Sequence, residues 1–213
     1  MSGRDVALLV LSFALGSIPF AYLLTRWNLG GDIRQMGSGN VGATNVLRTQ
    51  GKLLGALTLV LDFSKAAAAV WACRRWGDAP WLDTAGGAAA VLGHCYPPVL
   101  GFRGGKGIAS GLGAFLFIAP LPTLIALGAF VLEVLTLRFV SLGSIVGSLT
   151  FGASMLALHA VKGWYSAAQV AIACGLCLLL VQRHHKNIAR LLRGEEPRIW
   201  GKKKASPEGK EPA

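Results

Sequence analysis

Six long apolar segments dominate this sequence, and they restrict its fold more than any other feature. They lie near residues 6–26, 53–72, 81–100, 108–137, 139–160 and 164–182. A helix needs about 20 mostly apolar residues to cross the hydrocarbon core of a bilayer. Of the 213 residues, 53% are hydrophobic and only 15% are charged, a balance that a water-soluble domain of this size could not bury. The sequence therefore predicts an all-α integral membrane protein.

The fourth apolar segment is too long for one crossing and carries Pro120 and Pro122 in its middle. Because proline cannot donate a backbone hydrogen bond, we predict a turn over residues 119–123 between two short spans. This division gives seven transmembrane helices. Cytoplasmic loops of membrane proteins collect Lys and Arg. With the N-terminus outside, seven spans place most basic residues and the C-terminus on the cytoplasmic side, namely Arg34, Arg48, Lys52, Arg103, Lys106, Arg138 and the tail.

The formal net charge of +11 is concentrated near the C-terminus, where nine of the 21 Lys and Arg residues lie between Arg183 and Lys210. This distribution is typical of a cytoplasmic tail that meets anionic lipid headgroups, so nucleic acid is not an expected partner. We predict one polytopic membrane domain over residues 1–200 and a disordered basic tail over residues 201–213. The four cysteines lack the spacing of a zinc site, so we expect no metal and no cofactor.

Three polar constellations interrupt the apolar pattern, and the first follows the first span. Closely spaced glycines let backbone N–H groups turn toward an anion, hydroxyl and amide side chains add donors, and an arginine adds a bidentate fork. The pattern favours a phosphate cradle, although an ordinary glycine-rich turn is an equal alternative for this segment taken alone. The candidate phosphate-binding residues here are Gly37, Ser38, Gly39, Asn40, Thr44, Asn45 and Arg48.

The second constellation follows the third span and surrounds Lys106 with Gly104, Gly105 and Gly107. Glycines remove side chains around a lysine whose ammonium can hold a phosphate or a carboxylate as a point charge. It is not a Walker A loop, because Gly107 stands where that motif has Ser or Thr and no βαβ pattern surrounds it. We predict a second anion site at this loop.

The third constellation closes the last span and contains His184, Asn187 and Glu196. On a continuing helix, residues three apart share a face, so His184 and Asn187 would reach one ligand together. Histidines in a basic juxtamembrane helix are more often headgroup contacts, but all three constellations fall on one predicted membrane face. Ser141 and Ser144, near that face, either extend a phosphate site or bond the backbone one turn earlier.

Asp62 and Lys65 form a further polar pair, inside the second apolar segment. They are three apart in a predicted helix, so their side chains can meet. Ionisable groups within a membrane are costly and are usually paired. A structural ion pair is the favoured interpretation, and a direct role in binding a ligand is the alternative.

The three constellations, in this order and with seven spans around them, resemble the bacterial acyl-phosphate:glycerol-3-phosphate acyltransferase family, often called PlsY. The resemblance extends from Gly16 to Glu196, nearly the whole chain. It implies transfer of an acyl group from acyl phosphate to the sn-1 hydroxyl of glycerol 3-phosphate. The products would be 1-acyl-glycerol 3-phosphate (lysophosphatidic acid) and phosphate, in the first acylation of phospholipid synthesis. It also implies the bacterial cytoplasmic membrane, with the active site on the cytoplasmic side.

The resemblance also implies roles for individual residues. An acyl phosphate is already activated, so no covalent nucleophile is required, and the chain has no Gly-x-Ser-x-Gly elbow. The proton of the attacking hydroxyl passes either to His184 as general base or to the leaving phosphate. Ser38 is expected to donate a hydrogen bond to a phosphate or to the developing oxyanion. Catalytic and substrate-binding roles are implied for Ser38, Arg48, Lys106, His184 and Asn187, and supporting roles for Asn40, Thr44, Asn45 and Glu196.

A transporter for a phosphorylated metabolite is the strongest alternative, since seven spans with basic sites also suit anion passage. A carrier would place broken helices near the bilayer midplane in two related halves, whereas these motifs crowd one interface and no internal repeat is visible. We therefore expect an enzyme whose partners are acyl phosphate, glycerol 3-phosphate and membrane lipids, and we expect it to be a monomer.

Overall fold

The computed structural model describes residues 1–199, which are built from helices and connecting loops without any strand. The all-α prediction is confirmed for that part of the chain. The predicted tail, residues 201–213, lies outside the described residues. In chain order the α-helices are α1 Gly3–Gly16, α2 Phe20–Leu29, α3 Ala43–Gln50, α4 Lys52–Trp76, α5 Leu82–Cys95, α6 Ile108–Ile118, α7 Pro120–Thr136, α8 Val140–Lys162, α9 Ala167–Gln182 and α10 His185–Leu192.

Within residues 1–199, three helical segments are long and apolar enough to cross a membrane. They are Gly3–Leu29, which joins α1 and α2 across Pro19, and the single helices α4 and α8. The pair α9 and α10 would make a fourth if its two members, bent by 53°, form one span. The apolar helices α6 and α7 are shorter, with 11 and 17 residues. Seven spans therefore stay a prediction.

The break in the fourth apolar segment is narrower than predicted. Ala119 alone leaves the helical conformation, with φ −136° and ψ 70°, and α7 begins at Pro120. The backbone N–H groups in the first turn of a helix have no acceptor within the helix, so prolines are tolerated there. The prediction of a turn over residues 119–123 is thus correct in its place and wrong in its extent, because Pro120 and Pro122 start a helix.

Small residues allow the central helices to pack closely. Helix α4 packs against α1, α3, α5 and α6, while α7 pairs with α8. A Cβ on Gly113 of α6 would collide with the backbone carbonyl of Phe63 in α4, and one on Gly16 of α1 with that of Ala90 in α5. Glycine at these two positions lets helix backbones touch, as is typical of membrane helices.

The outer surface of the bundle carries large apolar side chains. Leu132 and Leu178 are 65% and 69% exposed, and they belong to α7 and α9, which are strongly apolar. A helix that is hydrophobic all round suits the interior of a bilayer. Trp76 and Trp164 are exposed at helix ends, where tryptophan typically meets the headgroup layer.

Candidate active site

The first glycine-rich loop is held in shape by Asn45, which is 1% exposed on α3. The Oδ1 of Asn45 accepts a hydrogen bond from the backbone N of Ser38 at 2.9 Å. Its Nδ2 donates to the carbonyls of Met36 at 2.9 Å and Asn40 at 3.0 Å. Asn45 therefore orders the loop that presents Ser38, whose side chain is exposed, and it has little capacity left for a substrate phosphate.

The second glycine-rich loop packs directly on the first. Gly104 and Gly105 donate backbone hydrogen bonds to the carbonyls of Cys95 and His94, both at 3.1 Å. A Cβ on Gly105 would lie 2.5 Å from the carbonyl oxygen of Val41 and would collide with the ring of His94. Only glycine permits this approach, so the two loops that were predicted separately form one surface.

The third constellation differs from the prediction of a continuing helix, because α9 ends at Gln182 and α10 begins at His185. The backbone N of His184 bonds the carbonyl of Val181 at 2.9 Å, a three-residue step that tightens the last turn. His184 occupies that turn and is 2% exposed, and Asn187 is 5% exposed, while His185 faces outward. His184 and Asn187 are therefore both buried, as predicted, although the helix between α9 and α10 is bent.

A hydrogen-bond network joins the second and third constellations. The Nζ of Lys106 donates to Oδ1 of Asn187, whose Nδ2 donates to Oε1 of Glu196 at 2.7 Å. Ser141 at the start of α8 donates to the same Oε1 at 2.6 Å, and Arg190 forms an ion pair with Oε2 at 2.7 Å. The carboxylate of Glu196 thus accepts three side-chain donors and fixes Asn187 below the lysine.

Two arginines complete the assembly of the three constellations. Arg48 donates to the backbone carbonyl of Pro197 at 3.3 Å, next to Glu196. Arg183 donates to the carbonyls of Gly104 and Gly105 at 3.0 and 2.9 Å. Residues from both glycine-rich loops, the start of α8 and helix α10 therefore meet at one end of the bundle.

Burial lowers the pKa of Lys106 to about 8, against the opposite effect of Glu196, and the nearby cations Arg190, Arg48 and Arg183 lower it further. Burial alone would raise the pKa of Glu196. The hydrogen bonds from Ser141, Asn187 and Arg190 outweigh it, so the pKa lies below its usual value and the carboxylate stays charged. The site as a whole is cationic and suits an anion.

The sequence left two alternatives for Ser141 and Ser144, a phosphate site or a bond to the backbone one turn earlier, and the two serines differ in their contacts. Ser144 donates to the carbonyl of Val140 at 2.8 Å, one turn earlier on its own helix. Ser141 instead binds Glu196 and so supports the network. Neither contact shows a phosphate-binding role, which stays a prediction for both.

The ring of His184 has a defined hydrogen-bond orientation. Its Nδ1 lies 2.7 Å from the carbonyl oxygen of Leu180. A carbonyl oxygen can only accept a hydrogen bond, so Nδ1 carries the hydrogen and, in the neutral ring, Nε2 carries the lone pair. Burial, together with the charge of Lys106, lowers the pKa of His184 to about 4, so the ring is neutral near pH 7. A role as general base stays a prediction.

An apolar cavity of about 500 Å³ opens beside this polar cluster. Thr44 of the first constellation and Ser144 of α8 line one end of it, together with Leu180, whose carbonyl holds the ring of His184. The remaining lining side chains are mostly aliphatic and aromatic and come from α3, α4, α6, α7, α8 and α9, together with Ile199. A cationic cluster that borders an apolar cavity suits a ligand with a charged head and a hydrocarbon tail.

Comparison with known proteins agrees with this geometry. The family model described as glycerol-3-phosphate acyltransferase matches residues 6–194. The chain belongs to the glycerol-3-phosphate acyltransferase family. Curated family members from Synechococcus sp. (strain CC9902) and Anaeromyxobacter dehalogenans (strain 2CP-1) are 42% and 44% identical to it. These alignments cover 94% and 91% of this chain and 98% and 96% of the relatives.

Two solved structures of this family share the fold. Both are described as PlsY, an integral membrane glycerol 3-phosphate acyltransferase, one in a glycerol 3-phosphate form and one in a lysophosphatidic acid form. Each is 37% identical, and the alignment covers 93% of this chain and 96% of the other. The TM-scores are 0.84 and 0.80, so the family fold extends over almost the whole described bundle.

The polar pair of α4 in this acyltransferase is an ion pair, as predicted. The Nζ of Lys65 lies 2.7 Å from the carboxylate of Asp62, and both side chains are almost fully buried. Lys65 also donates to the carbonyl of Ile18, at the break between α1 and α2, and lies 3.0 Å from Nδ1 of His94. The pair therefore connects the broken first segment to the residue on which Gly105 packs.

Sequence reasoning did not give roles to Arg183 and Arg190. Their signal was weak, because both lie in a basic segment whose charge was attributed to lipid headgroups. The spacing of Asn187 and Arg190, three apart on α10, was the available hint that both reach one acidic partner. The identity of that partner, Glu196, depends on the chain turning back after α10.

Proposed function

We propose that this chain transfers an acyl group from acyl phosphate to the sn-1 hydroxyl of glycerol 3-phosphate, giving lysophosphatidic acid and inorganic phosphate. The cationic cluster at the end of the apolar cavity carries the proposal, because both substrates are phosphorylated and one also has a long hydrocarbon tail. The family assignment supports the acyltransferase class. The relatives solved in glycerol 3-phosphate and lysophosphatidic acid forms support the acceptor and the product.

The two glycine-rich loops are the proposed phosphate sites. Arg48 and Lys106 supply the two principal cations, and their loops are in contact through Gly105 and Val41. Backbone N–H groups in such loops, with hydroxyl and amide side chains, add hydrogen bonds to phosphate oxygens. The proposed phosphate-binding set is Gly37, Ser38, Gly39, Asn40, Thr44, Gly104, Gly105 and Gly107, while Asn45 acts by holding the first loop.

The chemistry follows from bringing the two substrates together. The sn-1 hydroxyl oxygen attacks the acyl carbonyl carbon, a new ester C–O bond forms, and the bond from that carbon to the phosphate oxygen breaks. Ser38 donates a hydrogen bond to the oxyanion or to phosphate. The hydroxyl proton passes to Nε2 of His184 or to the leaving phosphate. Asn187 positions Lys106, and Glu196 positions Asn187.

The proposed setting is the bacterial cytoplasmic membrane, with seven spans, the N-terminus outside and the active site on the cytoplasmic side. The seven spans are the α1–α2 segment, α4, α5, α6, α7, α8 and α9, all within one domain over residues 1–200. The shared position of both loops, the start of α8 and α10 at one end of the bundle is consistent with an odd number of crossings. The basic residues at that end suit the cytoplasmic face.

A transporter for a phosphorylated metabolite is not favoured. The family assignment concerns an acyltransferase, and the polar cluster lies at one end of the bundle. A carrier site is expected near the membrane midplane between two related halves. Transport of glycerol 3-phosphate by proteoliposomes, without lysophosphatidic acid, would support this alternative.

The test is acyl transfer by the purified protein in detergent, with labelled glycerol 3-phosphate and either acyl phosphate or acyl-CoA as donor. We expect lysophosphatidic acid from acyl phosphate alone, with the acyl group at sn-1. Product from acyl-CoA alone would contradict the proposed donor. The absence of product with both donors, from protein that melts cooperatively, would contradict the proposed function.

The proposed topology needs a separate measurement. Single cysteines introduced at Phe102 and Glu195, both exposed, would be labelled in inverted and right-side-out vesicles, with the four native cysteines replaced. We expect both positions to react from the cytoplasmic side and a cysteine at Trp164 to react from the outside. Labelling of the first two from opposite faces would rule out a shared site.

A further inference from the structure

We propose that Phe115, Phe151 and Ala173 form the closed end of the apolar cavity and set the longest acyl chain that the enzyme accepts. These residues come from α6, α8 and α9 and all line the cavity. The inference rests on the proposed function, which places the acyl tail of the donor in this cavity. We call the three residues the cavity floor.

The cavity floor is tightly packed. The rings of Phe115 and Phe151 meet edge to face, with centroids 4.9 Å apart and planes at 64°. Ala173 is completely buried, and the two rings are 3% and 8% exposed. Edge-to-face pairs of buried rings stabilise each other beyond their contact area, so displacing either ring would cost free energy.

One turn beyond the cavity floor, the space between the helices is filled by core side chains. Ile118, Met155 and Val170 follow Phe115, Phe151 and Ala173 by one turn in the direction away from the polar cluster. All three are buried in the hydrophobic core, and none of them lines the cavity. The empty space therefore stops at the same level on three helices.

The depth of the cavity matches the tail of a membrane lipid. On α8 the lining residues extend from Val140 to Phe151, and on α7 from Val134 back to Thr123. Each distance is eleven residues, or about 16 Å at the rise of an α-helix. One leaflet of a bilayer contributes about half of a hydrocarbon core that is about 30 Å thick. The floor is thus placed to accept fatty acyl chains of ordinary membrane length.

The expected selectivity follows from the fit of the acyl chain to the cavity. The donor comes from a micelle or a bilayer, so its methylene groups are already out of water and gain little from transfer alone. A chain longer than the cavity must fold back or displace a packed ring, and such overpacking weakens binding by about fivefold or more. The rate should therefore be maintained up to the chain length that reaches the floor and fall beyond it.

The experiment measures the acyl preference of the full-length enzyme. Purified protein would be offered pairs of saturated acyl phosphates, from lauroyl to arachidoyl, in competition for labelled glycerol 3-phosphate. Phe151→Leu and Phe115→Leu enlarge the cavity at its floor, and we expect each to raise the arachidoyl to palmitoyl ratio by about fivefold or more, because the longer chain no longer overpacks the floor. Ala173→Leu fills the closed end and shortens the cavity, and we expect it to raise the lauroyl to palmitoyl ratio by a similar factor.

Phe117→Leu is the matched control, because Phe117 is also on α6 but is 51% exposed and does not line the cavity. We expect it to keep the wild-type profile. An unchanged profile in active floor variants would overturn the inference, and Ala173→Leu alone decides if the phenylalanine variants fail to fold. Wild-type protein that makes no lysophosphatidic acid from any acyl phosphate would overturn the proposed function instead.

Discussion

Lys106 in the second glycine-rich loop donates a hydrogen bond to the side-chain oxygen of Asn187 on α10. A neutral amide thus holds the ammonium in place, and within residues 1–199 no carboxylate forms an ion pair with Lys106. The acidic group of the site, Glu196, is bound by Arg190 and does not neutralise the lysine. The charge of Lys106 therefore remains for a substrate anion.

The first prediction concerns pH. The pKa of Lys106 is about 8, so the ammonium is charged below that pH and loses its proton above it. Glycerol 3-phosphate is already a dianion in that range, because the second pKa of a phosphate monoester is about 6. We expect kcat/KM for glycerol 3-phosphate to be level between about pH 6.5 and the pKa of Lys106, and to fall about tenfold for each pH unit above that pKa.

Lys106→Arg is the control for this pH profile. Arginine stays charged throughout the range, although its planar fork does not reproduce the point contact of an ammonium with Asn187. We expect lower activity and no loss of kcat/KM as the pH passes the pKa of the lysine. A wild-type profile that stays level would contradict the prediction, and the same fall in the arginine variant would assign the titration to another group.

The second prediction compares adjacent glutamates. Glu196→Gln leaves Arg190 and Asn187 without their charged acceptor, and hydrogen bonds to charged groups contribute about 1.5–3 kcal/mol each. We expect a clearly lower melting temperature in detergent and loss of activity. Glu195→Gln removes only an exposed pair with Arg193, so stability should change by about 0.5 kcal/mol or less. Equal effects of both changes would argue against the network.

The sequence was sufficient to predict that the three constellations lie together, because its signals are local. Gly104, Gly105 and Gly107 around Lys106 require no tertiary information, and the alternation of apolar segments places the three constellations on one side. The predicted pair of Asp62 and Lys65 is also local, since three residues separate its members on one helix.

The remaining features depend on contacts between distant residues. The amide side chain of Asn45 is of a type that binds phosphate, yet here it forms hydrogen bonds with the backbone of the first glycine-rich loop. The bend at His184 occurs in a sequence without proline or glycine, beside the arginine that binds the second glycine-rich loop. Helix propensity depends only on local sequence and not on such a contact, so the helix was predicted to continue.

The third prediction tests the buried pair of α4. Asp62→Asn leaves Lys65 as an uncompensated charge among buried groups, and removing one partner of such a pair typically costs about 3–5 kcal/mol. We expect a large loss of thermal stability from this change. The double variant with Lys65→Met removes both charges, and we expect it to regain most of that stability. Its KM for glycerol 3-phosphate should remain near the wild-type value if the pair is structural. A stable double variant with a much higher KM would indicate that the pair contacts substrate.

The last prediction separates the two routes for the proton. His184 anchors Nδ1 on the carbonyl of Leu180, so Nε2 is the nitrogen able to act as a base. If it does so, His184→Ala should lower kcat by about a hundredfold or more and remove the acidic limb of the kcat–pH profile. His185→Ala changes the exposed neighbour and should leave both unaltered. A smaller fall in kcat with the acidic limb intact would mean that the leaving phosphate takes the proton and that the ring of His184 positions the acceptor.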